Sequence, residues 1–379
     1  MILQFLQNIP ILHFIIYAAI IFALIIQSIY YLVIFLKPVL WKKKNADVEF
    51  EPLSVIICAK NEEANLRKNL PKILEQDYPY FEVIVVNDCS EDDTEMLLGE
   101  MEQQYNNLRH TNIELDKKFT HGKKLAVIIG MKSAKSNKCV FTDADCYPIS
   151  KNWLAEIAKS YVINKQIVLG FGAYEKRPGL LNKIIQYDTL TIAMQYFGFA
   201  LSGRPYMGVG RNMSYLKQIF FAGKGFINHY HIMSGDDDLF VNENADKSNT
   251  AVVLSKDSFT NSVPEMSWRS WSKQKKRHLS SGKYYKKGDK FFLGLEIFSR
   301  LLFYISILAM VVFKINYLVI ISCFCFRFGI QMIIIKLNMN KLDQKGFWFL
   351  TPLLDIVLPI IHLFFIISNK LNTSKGKWK

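Results

Sequence analysis

Residues Lys138–Pro148 read KCVFTDADCYP. Three apolar residues, Cys139 to Phe141, run straight into Asp143-Ala144-Asp145, the pattern of a short buried strand that ends in a polar loop. Two carboxylates one residue apart at the C-terminal edge of a strand can share a hard divalent cation and the phosphate oxygens of a nucleotide. A lone Asp-x-Asp occurs often by chance. Here it stands in step with Asp88, which closes the earlier run VIVVND, and with Gly235-Asp236-Asp237-Asp238 further along.

Outward from this stretch, from Glu51 to about Ser267, short apolar runs alternate with helical patterns, as in an α/β fold with a largely parallel sheet. LSVIICAKNEEANL gives a strand over Leu53–Ala59 and a helix from Glu62 to about Glu75. A second strand, Glu82 to Val86, leads into Asn87-Asp88-Cys89-Ser90, and Asp92, Asp93 and Thr94 open another helix. This is a doubly wound beginning, and such sheets bind ligands beyond the carboxyl ends of their strands. Taken alone, Asp88 reads equally well as a cap or turn residue. HGKKLAVIIGMKSA, His121 to Ala134, is a helix whose first turn carries Gly122, Lys123 and Lys124, positive charge beside free backbone amides that suits a diphosphate.

The 379 residues have a net charge of +14, are 50% hydrophobic and have a mean hydropathy of +0.11, high for a wholly soluble protein. No Asp, Glu, Lys or Arg interrupts Ile11–Leu36, 26 residues and enough to cross a bilayer core as a helix. A cleaved signal peptide fits less well, because no basic residue precedes the run and no small-residue cleavage site follows it. Lys37, Lys42, Lys43 and Lys44 come next, so the positive-inside rule puts the N-terminus outside and the central domain in the cytoplasm. Lys273 to Lys290 holds eight Lys or Arg and one acid, interleaved with Tyr284 and Tyr285. Its place between an α/β domain and a hydrophobic region points to anionic lipid head groups rather than nucleic acid. Three hydrophobic segments follow, about Phe291 to Phe313, Tyr317 to Ile335 and Phe347 to Ser368. They hold Glu296 and Arg300 at helical i, i+4 spacing, Arg327, Asp355 and His362, groups that at such depth face a bundle interior or a watery path. Three full crossings would leave Lys370, Lys375, Lys377 and Lys379 outside, against the same rule. The segment with Pro352 and Pro359 is therefore expected to be re-entrant or interfacial. The six cysteines lack the spacing of a zinc site and read as buried free thiols.

In order along the chain, these motifs resemble the membrane-bound, bacterial family 2 inverting glycosyltransferases of GT-A fold. The resemblance covers roughly Leu53 to His278. It implies a nucleotide-sugar donor, a UDP-sugar for choice, with the nucleoside held by Ala59, Glu62 and Asp88, the last accepting a hydrogen bond from uracil. The family's Gly-Lys, Ala and Gly pattern falls on Gly122, Lys123, Ala126 and Gly130, which makes Lys123 the donor-phosphate lysine. Asp145 becomes the more direct ligand of Mg2+ or Mn2+, with Asp143 nearer the ribose and the metal. An inverting transfer needs one general base; one alignment of the acidic triplet selects Asp237 and another Asp236. Gly208, Gly210 and Asn212 fall in a glycine-rich segment that lines the acceptor side in related transferases, and a plain structural turn accounts for them equally. WRSWSKQKKRHL resembles the family's QxxRW motif, with Gln274 for the acceptor and Arg277 for the pyrophosphate. His278 stands where Trp is usual, so Trp268 or Trp271 would have to serve as the aromatic platform.

The expected organisation is a membrane anchor and basic flank at 1–45, a GT-A domain at 46–267, an interface segment at 268–290 and a membrane region at 291–379. The acceptor would be lipid-linked or a glycan, the other partner the bilayer of the inner membrane, and nucleic acid none. A processive polysaccharide synthase is the nearest alternative, and a non-catalytic membrane scaffold or transport subunit the alternative of another class.

Overall fold

The computed structural model describes residues 11–43, 49–114, 122–232 and 234–371. Lys44, His121, Lys375, Lys377 and Lys379 lie outside them. The first helix, α1, spans Ile11–Leu40 and winds as a π-helix over Tyr30–Phe35.

The α/β domain then runs β1 Leu53–Ala59, α2 Glu63–Leu74, β2 Phe81–Asp88, α3 Thr94–Gln104, β3 Leu108–Ile113, α4 Lys123–Ser133, β4 Lys138–Asp143 and β5 Cys146–Pro148. It continues through β6 Ile167–Leu169, β7 Gly172–Tyr174, α5 Leu180–Leu201, β8 Met213–Leu216, α6 Asp238–Asn244, β9 Thr250–Val252 and β10 Thr260–Ser262. The main sheet has the order β3-β2-β1-β4-β8-β6-β9, with β8 antiparallel to both neighbours, and β5-β10-β7 form a small second sheet. β1 is an almost unbroken apolar run because helices cover both of its faces. Leu66 and Leu70 of α2 and Leu97 and Leu98 of α3 pack with Val55, Ile57, Val83 and Val85 on one side. Ala126, Val127 and Met131 of α4 pack with Ile56, Ile84 and Val86 on the other.

Register places the site. β1 pairs in parallel with β2 so that Ala59 faces Asn87, and with β4 so that Cys58 faces Asp143. Ala59, Asp88 and Asp143 therefore end on one edge. The chain turns from β1 toward β2 on one side and reaches β4 on the other, so this edge is the switch point where open α/β sheets bind ligands.

The helices after the α/β domain are α7 Trp268–Leu279, α8 Lys287–Val312, α9 Tyr317–Lys341 and α10 Thr351–Leu371. Among the described residues four helices, α1 and the last three, are long and apolar enough to cross a membrane. The first of these C-terminal helices begins at Lys287, four residues before the hydrophobic run, and the second extends to Lys341. α5 ties the α/β domain to α1 by direct backbone approach: a Cβ at Gly198 would sit 2.5 Å from the Ile34 carbonyl oxygen. Glu296, Arg300, Arg327 and Asp355 of the apolar segments turn inward. Asp355 pairs with Arg327 at 2.8 Å and Arg300 at 3.5 Å, Arg300 with Glu296 at 2.5 Å, and Gln27 accepts from Arg327 at 3.0 Å.

The cysteines correct the sequence reading in part. All six are free, but only Cys139 and Cys146 are fully buried, and Cys325 is exposed on α9. An apolar neighbourhood in sequence does not tell which face of a helix it occupies.

Candidate active site

The edge of β1, β2 and β4 opens into a pocket lined by Cys58, Lys123, Asp143, Gly210, Asp236 and Asp237. Lys123 opens α4, and its ammonium bridges Asp143 at 2.7 Å and Asp236 at 3.0 Å. Burial works against that charge, but Asp143, Asp236 and Asp237 together hold the lysine well above its ordinary pKa. Its neighbour Lys124 points elsewhere and donates to the carbonyls of His229 and Ile232, the latter at 2.8 Å. Burial lowers its pKa to about 8.

The three successive carboxylates meet three different fates. Asp236 takes the ion pair with Lys123, which outweighs burial and keeps its carboxyl below the usual range. Asp237 caps α6: its oxygens accept from the backbone N–H of Gly210 at 2.8 Å and of Asp238 at 2.7 Å. Burial and the charges of Asp236 and Asp238 push its carboxyl up to about 7. A Cβ at Gly210 would come within 3.2 Å of the Lys123 ammonium, so a side chain there would press on the lysine. Asp238 faces away, accepting from the hydroxyls of Ser281 and, at 2.6 Å, Tyr285. The acidic segment is thereby fastened to the basic stretch that leads into α8.

Ligand atoms of Asp143, Asp145 and Cys146 lie within 4.8 Å of one another. Asp145 accepts from Ser262 at 2.8 Å and from the Cys146 thiol at 3.3 Å, and burial followed by the charge of Asp143 raises its pKa. Burial also pushes the Cys146 thiol up, so it keeps its proton. Two crowded carboxylates beside a protonated thiol form an oxygen donor set that fits Mg2+ or Mn2+. Glu62 follows β1, and burial, opposed by a 2.6 Å hydrogen bond from Asn65, raises it to about 7. Asp88 is fully buried at the end of β2.

Of the three residues expected on the acceptor side, Asn212 and Trp271 stand differently. Asn212 does not line the pocket: it is buried, donates to the carbonyls of Phe171 at 2.9 Å and Ser258 at 2.7 Å, and accepts from the Trp153 indole at 3.1 Å. It braces the segment that carries Gly210. Trp271 is 2% exposed and packs on Phe365 of α10 with ring centres 5.7 Å apart, so it offers no platform, whereas Trp268 is half exposed. Gln274 accepts from the Tyr174 hydroxyl at 3.4 Å. Arg277 and His278 are exposed on the same helix. Sequence reasoning passed over Arg211, whose guanidinium stacks 4.0 Å above the Tyr174 ring and whose charge acts on Asp145. It adjoins Gly210 and Asn212 in sequence, but only the folded β5–β10–β7 sheet brings it to the aspartates.

Residues 54–220 match the profile of Glycosyl transferase family 2, a span that ends before the acidic triplet and α7. A stretch of 123 residues, 32% of the chain, is 29% identical to the poly-beta-1,6-N-acetyl-D-glucosamine synthase of Staphylococcus epidermidis and covers only 29% of that relative's length. Among solved structures, a mannosyltransferase from Pyrobaculum calidifontis in complex with GDP-Man and Mn2+ aligns over 95% of this chain and 100% of its own, with a TM-score of 0.59 and 16% identity. That likeness concerns the fold.

Proposed function

We propose, for a chain that belongs to glycosyl transferase family 2 and has the GT-A fold, that it is a membrane-bound inverting transferase. It moves a sugar from a nucleotide-sugar donor, of UDP type, to a lipid-linked or glycan acceptor at the cytoplasmic face of the inner membrane. The observation that carries this reading is the meeting of Asp143 and Asp145 with Lys123, Asp236 and Asp237 at the carboxyl edge of the sheet.

In this reading the nucleoside lies against Ala59, Glu62 and Asp88, and Asp143 and Asp145 hold the divalent cation. When bound, the cation supplies positive charge that stabilises the departing diphosphate. Lys123, held between two aspartates, is within reach to turn its charge to the donor phosphates, and Arg277 on α7 adds paired N–H donors. The acceptor hydroxyl attacks the anomeric carbon from the face opposite the diphosphate. Its proton passes to Asp237, whose raised affinity suits a base working near neutrality. Asp236 is the alternative base, but its ion pair with Lys123 keeps it a weaker one.

A screen of nucleotide sugars with the purified protein tests this function. Hydrolysis or transfer of at least one donor, abolished by a chelator, is expected; inertness toward every donor with Mn2+, Mg2+ and membrane lipids present would contradict it. A processive synthase is the second reading, favoured by the curated relative. A product lengthened by one sugar separates single transfer from a polymer.

A further inference from the structure

Both ends of α10 are held against the same side of the molecule. Just before its start, the Trp348 indole donates to the Met332 carbonyl of α9 at 3.0 Å, and Lys336 lies 5.7 Å from the centre of its ring. This is the half of α9 whose end, Lys341, donates to the Trp41 carbonyl at 3.0 Å, beside the basic flank of α1. Toward its far end, Ser368 accepts from Lys276 at 2.7 Å and Phe365 packs on Trp271, both on α7 of the catalytic domain. Between them, His362 lies 3.3 Å from Asp188 of α5, a carboxylate that also takes Lys275 of α7 at 2.5 Å.

A helix of 21 residues is about 31 Å long, the thickness of a bilayer core. Were it to cross, one end would be left on the side opposite α7. The outward face of α10 is also one continuous stripe: Leu353, Ile356, Ile360, Leu363, Phe364 and Ile367 are exposed at three- and four-residue spacing. Leu354, Asp355, Leu358 and Phe365 are buried on the other face. The buried Phe365 and Trp271 join this helix to α7, where Trp268 is exposed and Arg269 and Lys273 supply cations for anionic head groups.

We propose that α10 does not cross the bilayer but lies in its interface on the catalytic domain's side, with the Leu353–Ile367 stripe in the boundary between head groups and acyl chains. Its other face clamps α7, the helix of Gln274 and Arg277, through Phe365, Ser368 and the Asp188–His362 contact. Three helices, α1, α8 and α9, then cross, and the lysine-rich tail falls on the same side as Lys37, Lys42 and Lys43, as the positive-inside rule asks. The bilayer is the occupant of the stripe, at the depth of about 5–10 Å usual for interfacial amphipathic helices. The proposal rests on the membrane reading and is independent of the donor.

The test places an environment-sensitive fluorophore on single cysteines, Ile356→Cys, Ile360→Cys, Leu363→Cys and Ile367→Cys, in a chain lacking its native six. Each is reconstituted in vesicles with lipids that carry quenchers at the head group or along the acyl chain. Equal, shallow depth at all four positions is expected. A steady change of depth, about 16 Å from Ile356 to Ile367 at 1.5 Å per residue, would show a crossing and overturn the proposal. Absence of lipid quenching at all four would show a protein partner, a second copy included, and overturn it as well. Should the cysteine-free chain fail to fold, the natural chain with a C-terminal tag in sealed vesicles decides: the tag must be accessible on the same side as the catalytic domain. Metal-dependent donor turnover, measured on the natural chain in the same vesicles, separates failure of this proposal from failure of the transferase reading.

Discussion

The membrane bundle and the catalytic crevice both take charge out of water, and they balance it differently. In the bundle two acids, Glu296 and Asp355, meet two arginines, Arg300 and Arg327, with Asp355 and Arg327 each 1% exposed. In the crevice Asp143, Asp145, Asp236 and Asp237 face Lys123 and, beside Asp145, Arg211. Balanced pairs leave nothing for a ligand to do and serve to fix helix against helix. Burial, with an excess of carboxylates beside it, raises the pKa of Asp145 and Asp237, and a cation would relieve that excess. Charge balance is thus what separates the two clusters in this chain.

The sharpest way to break the comparison is at Asp237. Asp237→Asn should lower turnover about 10²–10⁴-fold with donor affinity nearly unchanged, as read by steady-state kinetics beside calorimetry. The same pattern in Asp236→Asn but not in Asp237→Asn would transfer the role of base. In the natural chain the pH profile carries the sign: the Asp237 carboxyl sits at about 7, so the base form is lost as pH falls through 7, and kcat should drop about tenfold per unit below it.

The bundle should respond in stability and not in chemistry. Asp355→Asn leaves two arginines facing one acid, and breaking a buried pair costs about 3–5 kcal/mol, seen as a lower Tm in detergent. Replacing Asp355 and Arg327 together by Leu and Met keeps Glu296 with Arg300 and should recover much of that loss. If instead the double variant lost activity at full stability, the bundle would have a function of its own. Asn212→Ala strands the Trp153 indole and two carbonyls and should cost about 1–3 kcal/mol, with donor affinity intact in the folded fraction. At the small end, Lys43→Ala removes an ion pair with Glu156 whose lysine is 43% exposed, and should change stability by less than about 1 kcal/mol.

Strand ends were legible in sequence because apolar runs stop at carboxylates: β1 has the bounds its run implied, and Asp88 and Asp143 close β2 and β4. Residues set by local pattern, Lys123 at a helix start and the acidic triplet before another, could be named for the same reason. What escaped depends on contacts far apart in the chain. Neighbours on a helix point about 100° apart, and nothing local tells that Lys123 faces the pocket while Lys124 meets carbonyls. Asn212 looked like a loop residue of an acceptor site because its three partners come from Trp153, Phe171 and Ser258. Trp271 looked like a sugar platform because the helix that covers it, α10, follows some 80 residues later. Arg211 was hidden for a like reason, since its partner Tyr174 lies on β7, far from it in the sequence.

The account stands most directly on the Asp143/Asp145 pair as the place where a divalent cation and a nucleotide meet. Calorimetry of a nucleoside diphosphate binding to the natural protein and to Asp145→Asn, each with Mn2+ and with chelator, tests it. Binding by the natural protein that requires the metal, and loss of that requirement together with the affinity in a folded Asp145→Asn, is the predicted result. Equal affinity with chelator and with metal would contradict the charge-balance reading of the crevice.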